Sequence, residues 1–161
     1  MKIRILWVGK NKDSYIKEAV EEYIKRIKPY SDIDIILIPD VTLSGTNNPE
    51  LVIHREGFRI TKFLNEKVKL FNKPVFMICL DQRGEMFDSE VFAQLVADKA
   101  QYNEVLFIIG GVYGLAEVVK KRADKLISLS KMTFTHQMSR IILLEQLYRA
   151  FTIINQKKYH Y

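Results

Sequence analysis

Short runs of β-branched and apolar residues recur along this chain, and each gives way to a segment whose apolar residues return at helical spacing. The runs are Ile3 to Val8, Ile33 to Ile38, Val75 to Leu80, Val105 to Ile109 and Leu126 to Leu129. Strands that carry so little polar alternation are buried on both faces, as in a parallel sheet. After the first run, Asp13 or Ser14 offers a cap, Ile16, Val20, Tyr23, Ile24 and Ile27 repeat at helical period, and Pro29 stops the helix. Phe58, Ile60, Leu64, Val68 and Phe71 give a second helix from Glu50 onward. Val91, Phe92, Leu95, Val96 and Ala100 give a third behind Asp88 and Ser89. Leu115 to Ala123 starts a fourth, and Met138 to Gln156 reads as a long fifth, with Met138, Ile141, Ile142, Leu144, Tyr148 and Phe151 on its apolar face. This alternation specifies an α/β fold, a mostly parallel sheet covered by helices. Strand order stays open at this level. Pro39 to Pro49 reads as a loop and Asp81 to Gly84 as a turn.

The 161 residues suit one domain, 1–161, and a 48% hydrophobic content can fill its core. No repeat or linker divides them. Lys and Arg outnumber Asp and Glu 25 to 19, and the resulting charge of +6 favours a polyanionic partner without naming one. The single cysteine, Cys79, lies in an apolar run, so no internal disulfide can form and a reducing compartment fits. The start MKIRILWVGK alternates charge with apolar residues, and no apolar run reaches the roughly 18 residues of a membrane span. A cytoplasmic protein with no membrane partner is expected.

Two turns carry the chemistry. The fourth strand stops at Gly110, Gly111 and Gly114, and the fifth runs into Ser130, Lys131, Met132, Thr133, Phe134, Thr135 and His136. Ligands of α/β sheets collect beyond the carboxyl ends of strands, so these loops predict one small-molecule pocket. Common nucleotide motifs do not match. A dinucleotide fingerprint that used Gly111 and Gly114 would need glycine where Ile109 stands, and a P-loop would need Gly-Lys-Ser/Thr where Leu115 follows Gly114. Asp81 and Lys131 are placed like residues of a phosphoacceptor domain, yet Gly9, Lys10, Asn11 and Lys12 occupy the position of its magnesium-binding acidic pair.

LDQRGEMFDSE, FIIGGVYGL, ISLSKMTFTHQMSRIILLEQLYRAF, the terminal YHY and the opening KIRILWVGK together resemble the ribosomal RNA large-subunit methyltransferase H family, a SPOUT-class group. The resemblance covers almost the whole chain. It implies a C-terminal trefoil knot, a homodimer, and S-adenosylmethionine-dependent methylation of pseudouridine N(3) in 23S rRNA of the assembled ribosome. Carried over residue by residue, the cofactor site falls on Leu80, Gly110, Leu129, Ser130, Lys131, Met132, Thr133 and Phe134. His136, Arg149, Tyr159 and His160 become the candidate bases and substrate clamps, and no metal is implied. Two positions depart from the family pattern. Thr135 stands where proline is usual and can cap the helix instead, and Tyr161 stands where a basic residue often ends the chain. The competing reading is a basic α/β module that binds RNA or a nucleotide without catalysis.

Overall fold

A computed structural model describes residues 1–41, 48–67, 75–99, 102 and 104–158. The chain runs β1 (Lys2–Val8), α1 (Ser14–Ile27), β2 (Asp32–Ile38), α2 (Pro49–Lys67), β3 (Val75–Met86), α3 (Ser89–Asp98), β4 (Glu104–Ile109), α4 (Glu117–Lys120), β5 (Lys125–Ser128) and α5 (His136–Ile154). The sheet order is β2-β1-β4-β3-β5, and every pairing is parallel. The expected parallel α/β architecture is therefore the observed one.

Strand periodicity divides the core into two. Ile3, Ile5, Trp7, Val105, Phe107 and Ile109 point to the side covered by α1, α3 and α5, where Leu143, Leu144 and Leu147 meet them. Leu6, Val8, Leu106 and Ile108 point to the other side, against Ile60 and Leu64 of α2 and Val119 of α4. Both faces are thus apolar, which is why the strands lack alternation. Helix starts follow local chemistry. The Asp88 carboxylate accepts from Val91 N at 2.8 Å, and the Thr135 hydroxyl accepts from Met138 N at 3.2 Å, so Thr135 caps α5 as its side chain allows.

Four expectations change. Asp81 to Gly84 is not a turn that ends β3. Leu80 and Glu85 both pair with Ile127, so those four residues bulge out of a strand that resumes and reaches Met86. α4 is a single turn, Glu117–Lys120, closed at once by the Arg122 and Ala123 N–H groups. Phe58 is 66% exposed, because the buried stripe of α2 runs through Val52, Glu56, Ile60 and Leu64. Val68 and Phe71 lie outside the described residues. On α5 the buried stripe is Arg140, Leu143, Leu144, Leu147, Ala150 and Phe151, rotated from the expected face. Met138 is exposed and Ile141 and Ile142 are half-buried. A helix apolar nearly all round gives periodicity no single face to report.

Cys79 sits in the second core at 0% exposure, and burial, with the nearby Asp81 charge adding to it, pushes its thiol up to about 12. Only the thiolate reacts quickly. Native protein at pH 8 is therefore expected to resist an aromatic disulfide reagent that labels the unfolded chain at once; rapid labelling under native conditions would contradict the packing.

Candidate active site

The bulge of β3 and the carboxyl ends of β4 and β5 open into one cavity of about 890 Å³. Its floor is the glycine turn. Gly110 leaves β4, Gly114 N donates to the Gly111 carbonyl at 3.1 Å, and Gly114 takes φ +86° to turn the chain toward α4. Under this turn, Glu56 of α2 is buried at 4% exposure; its Oε1 accepts from Val41 N at 3.4 Å, and burial raises its carboxyl above the ordinary value.

One wall is Leu80 and the bulge after it. Asp81 Oδ1 accepts from Arg83 N at 2.9 Å, and Asp81 Oδ2 accepts from Lys120 Nζ at 3.1 Å. Burial pushes Asp81 up, but the Arg83 amide and Lys120 outweigh it and hold the carboxyl below its ordinary value. Lys120 also pairs with Glu117, so one cation ties the β3 bulge to α4 across the glycine turn. Asp81, Glu117 and Lys120 all line the cavity.

The opposite wall is the loop after β5. Ser128 Oγ donates to the Ser130 carbonyl at 3.0 Å, and Ser130 Oγ accepts from Met132 N at 3.0 Å, which folds the loop back on itself. Leu129, Ser130, Met132, Thr133 and Phe134 reach the cavity, as do Leu80 and Gly110. Lys131 is exposed and does not line it. His136, the first residue of α5, does line it and is half-buried. Burial, then Arg140 and Lys12, lower its basicity, while Asp40 opposes them.

Other expected site residues stand apart. Arg149 is absent from the cavity lining and donates to Glu145 Oε1 through Nε at 3.1 Å and Nη2 at 2.7 Å. It lies 13 residues beyond His136 on one helix, or about 20 Å along the axis. Tyr159 and His160 lie outside the described residues. Among the described residues no group of three or more His, Cys, Asp and Glu is placed to hold a metal ion, and no helix is long and apolar enough to cross a membrane.

Sequence reasoning missed Lys120, Glu117 and Tyr15 in the lining, and missed Arg140 altogether. The signal for Arg140 was present, since it stands three, four and seven residues before Leu143, Leu144 and Leu147. An arginine in that register must be buried with partners. Its Nη2 donates to the Val8 carbonyl and its Nη1 to Asn11 Oδ1, both at 2.6 Å.

A family model described as predicted SPOUT methyltransferase matches residues 1–160. The chain belongs to that family. Among the relatives of this SPOUT chain, the ribosomal RNA large subunit methyltransferase H of Geotalea daltonii is 40% identical over 163 residues, covering 100% of both chains. The protein of the same description from Symbiobacterium thermophilum is 39% identical over 165 residues, covering 99% of each. Solved structures agree on the fold. A probable methylase family protein from Haemophilus influenzae superposes with TM-score 0.58 at 14% identity, over 99% of this chain and 70% of that one. A probable methyltransferase from Bordetella pertussis gives TM-score 0.54 at 14% identity, over 93% and 94%.

Proposed function

We propose that this protein is a large-subunit rRNA methyltransferase that uses S-adenosylmethionine to methylate N(3) of a pseudouridine in 23S rRNA of the assembled ribosome. The observation that carries the reading is the cavity shared by the Gly110 turn and the Leu129–Phe134 loop, in a chain related over its full length to proteins named for large-subunit rRNA methylation. The lining fits the cofactor. Leu80, Leu129 and Met132 supply apolar walls for a flat base, Ser128, Ser130 and Thr133 supply hydroxyls, and the Gly110 turn brings bare backbone to the cavity floor. The bound cofactor supplies an electrophilic methyl carbon on a sulfonium.

The protein's share of the work is alignment and proton removal. Holding ring nitrogen and methyl carbon in line contributes about 7–11 kcal/mol, and a positioned base about 10²–10⁴-fold, so alignment is the larger part. In this reading Lys131 joins the cofactor loop, and His136, Arg149, Tyr159 and His160 hold the nucleotide or take its proton. We further assign one domain over the chain, the C-terminal knot of the family, a two-fold homodimer and a cytoplasmic site of action. A charge of +6 suits an RNA polyanion. No metal enters the reaction.

Calorimetry with S-adenosylmethionine is expected to show binding to the metal-free protein. Ribosomes incubated with protein and labelled cofactor are expected to gain one methyl group on a 23S rRNA pseudouridine, read by mass analysis. A folded chain that binds RNA but neither the cofactor nor its demethylated product would be the non-catalytic module. Removing Tyr159 to Tyr161 is expected to spare cofactor binding and lower methylation by about 10²-fold. Full activity in the truncated protein would remove the tail from the substrate side.

A further inference from the structure

The first two turns of α5 hold a buried cation that the cavity lining does not include. Arg140 is 0% exposed, and its guanidinium carbon lies 5.0 Å from the centre of the Trp7 ring. Its hydrogen-bond partners, the Val8 carbonyl and the Asn11 side-chain oxygen, are both neutral, and its Nε has none among the described residues. Burying an arginine with no carboxylate in hydrogen-bonding contact is expensive. Burial duly draws its basicity down to about 10, against the pull of Asp40, which still leaves it charged at neutral pH.

His136 stands one turn earlier on the same helix, and residues four apart share a face. It is also the first residue of α5, where the helix dipole opposes a positive charge. The β1–α1 loop adds a second cation, because Lys12 N donates to Gln137 Oε1 at 3.0 Å and fixes that loop against the first turn of α5. Asp40, at the end of β2, is the opposing charge. Burial first, then Arg140, Lys12 and the helix dipole, therefore disfavour an imidazolium at the cavity wall, and Asp40 favours it.

We propose that Arg140 is a positioning residue for methyl transfer, a fixed cation behind His136 that keeps this imidazole neutral so that it receives the proton of the ring imide. The inference rests on the methyltransferase reading above. In the step, the imide N–H bond breaks and its proton goes to the His136 ring. The electron pair left on nitrogen forms the new N–CH₃ bond as the carbon–sulfur bond breaks, and the sulfur keeps that bond's electrons as a neutral thioether. Arg140 touches none of the reacting atoms.

Imidazole NMR of the free protein, titrated with pH, separates this inference from the reading it rests on. The wild-type His136 midpoint is expected below the ordinary value of about 6.5. Arg140→Met is expected to move it upward, and Arg140→Lys, which keeps the charge, to move it less. Methylation should follow: the acid limb of kcat rises in pH with Arg140→Met and returns toward wild type with Arg140→Lys. A wild-type midpoint at or above the ordinary value overturns the inference, even if Arg140→Met does not fold. So does an unmoved midpoint or acid limb in folded Arg140→Met. Loss of cofactor binding in wild-type protein would instead overturn the methyltransferase reading and leave the titration to be read by itself.

Discussion

Gly110→Ala is expected to weaken S-adenosylmethionine binding by about 10²-fold while leaving a folded protein. An added Cβ at 110 would lie 2.5 Å from the Gly114 carbonyl carbon, 2.6 Å from its oxygen and 2.9 Å from Leu115 N. All three are backbone atoms, so no side chain can rotate away. The turn has to open, and overpacking of this kind costs about 1–3 kcal/mol. The displacement falls on the cavity floor, where the proposed function brings the cofactor against bare backbone. Calorimetry gives the affinity, and circular dichroism shows that the fold persists. Unchanged affinity would mean that the ligand does not use this turn.

Gly84→Ala is expected to lower the melting temperature by about 6–12 °C, as for a loss of about 3 kcal/mol in a domain of this size. Gly84 closes the bulge of β3 directly over β5, and an added Cβ would sit 2.6 Å from Ile127 N and 2.7 Å from its Cα. β5 is four residues long and, among the described residues, pairs with β3 alone, so displacing Ile127 disturbs most of what holds it. Its C-terminal end feeds the Leu129–Phe134 loop, so cofactor binding should fall together with stability. A thermal scan that matches wild type would show that the bulge can shift at no cost.

What the sequence revealed and what it hid follow from the same physics. The five strands were legible because each is a short, largely apolar run with residues packed in the core, and Thr135 as a cap because its hydroxyl acts on the amide three residues away. The glycine turn and the Leu129–Phe134 loop, each directly following a strand, were recognisable as walls of one cavity. Long-range geometry was not legible. Asp81 to Gly84 has turn composition, and only pairing with Ile127, more than 40 residues later, makes it a bulge within one strand. The α5 face was misjudged because Ile141 and Ile142 are as apolar as Leu143 and Leu144, so neighbours decide which side turns inward. Arg140 was overlooked because a charge is normally assigned to solvent, and nothing local says that the Val8 carbonyl and Asn11 wait for it. The loop residues 42–47 and the tail from Tyr159 lie outside the described residues.

The position of β1 sets a timetable for the newborn chain. One edge of β1 meets β2 after only about thirty residues, since Lys2 pairs with Asp32. Its other edge pairs Lys2 with Glu104 and has to wait for roughly a hundred residues to be made. At about 5–20 residues per second that is about 5–20 s, during which Ile3, Ile5 and Leu6 have one unpaired side. An open apolar strand edge is a template for joining another chain. Among the strand edges that end up paired, this one waits longest, and slowing translation between β2 and residue 104 should reduce soluble yield more than slowing it afterwards.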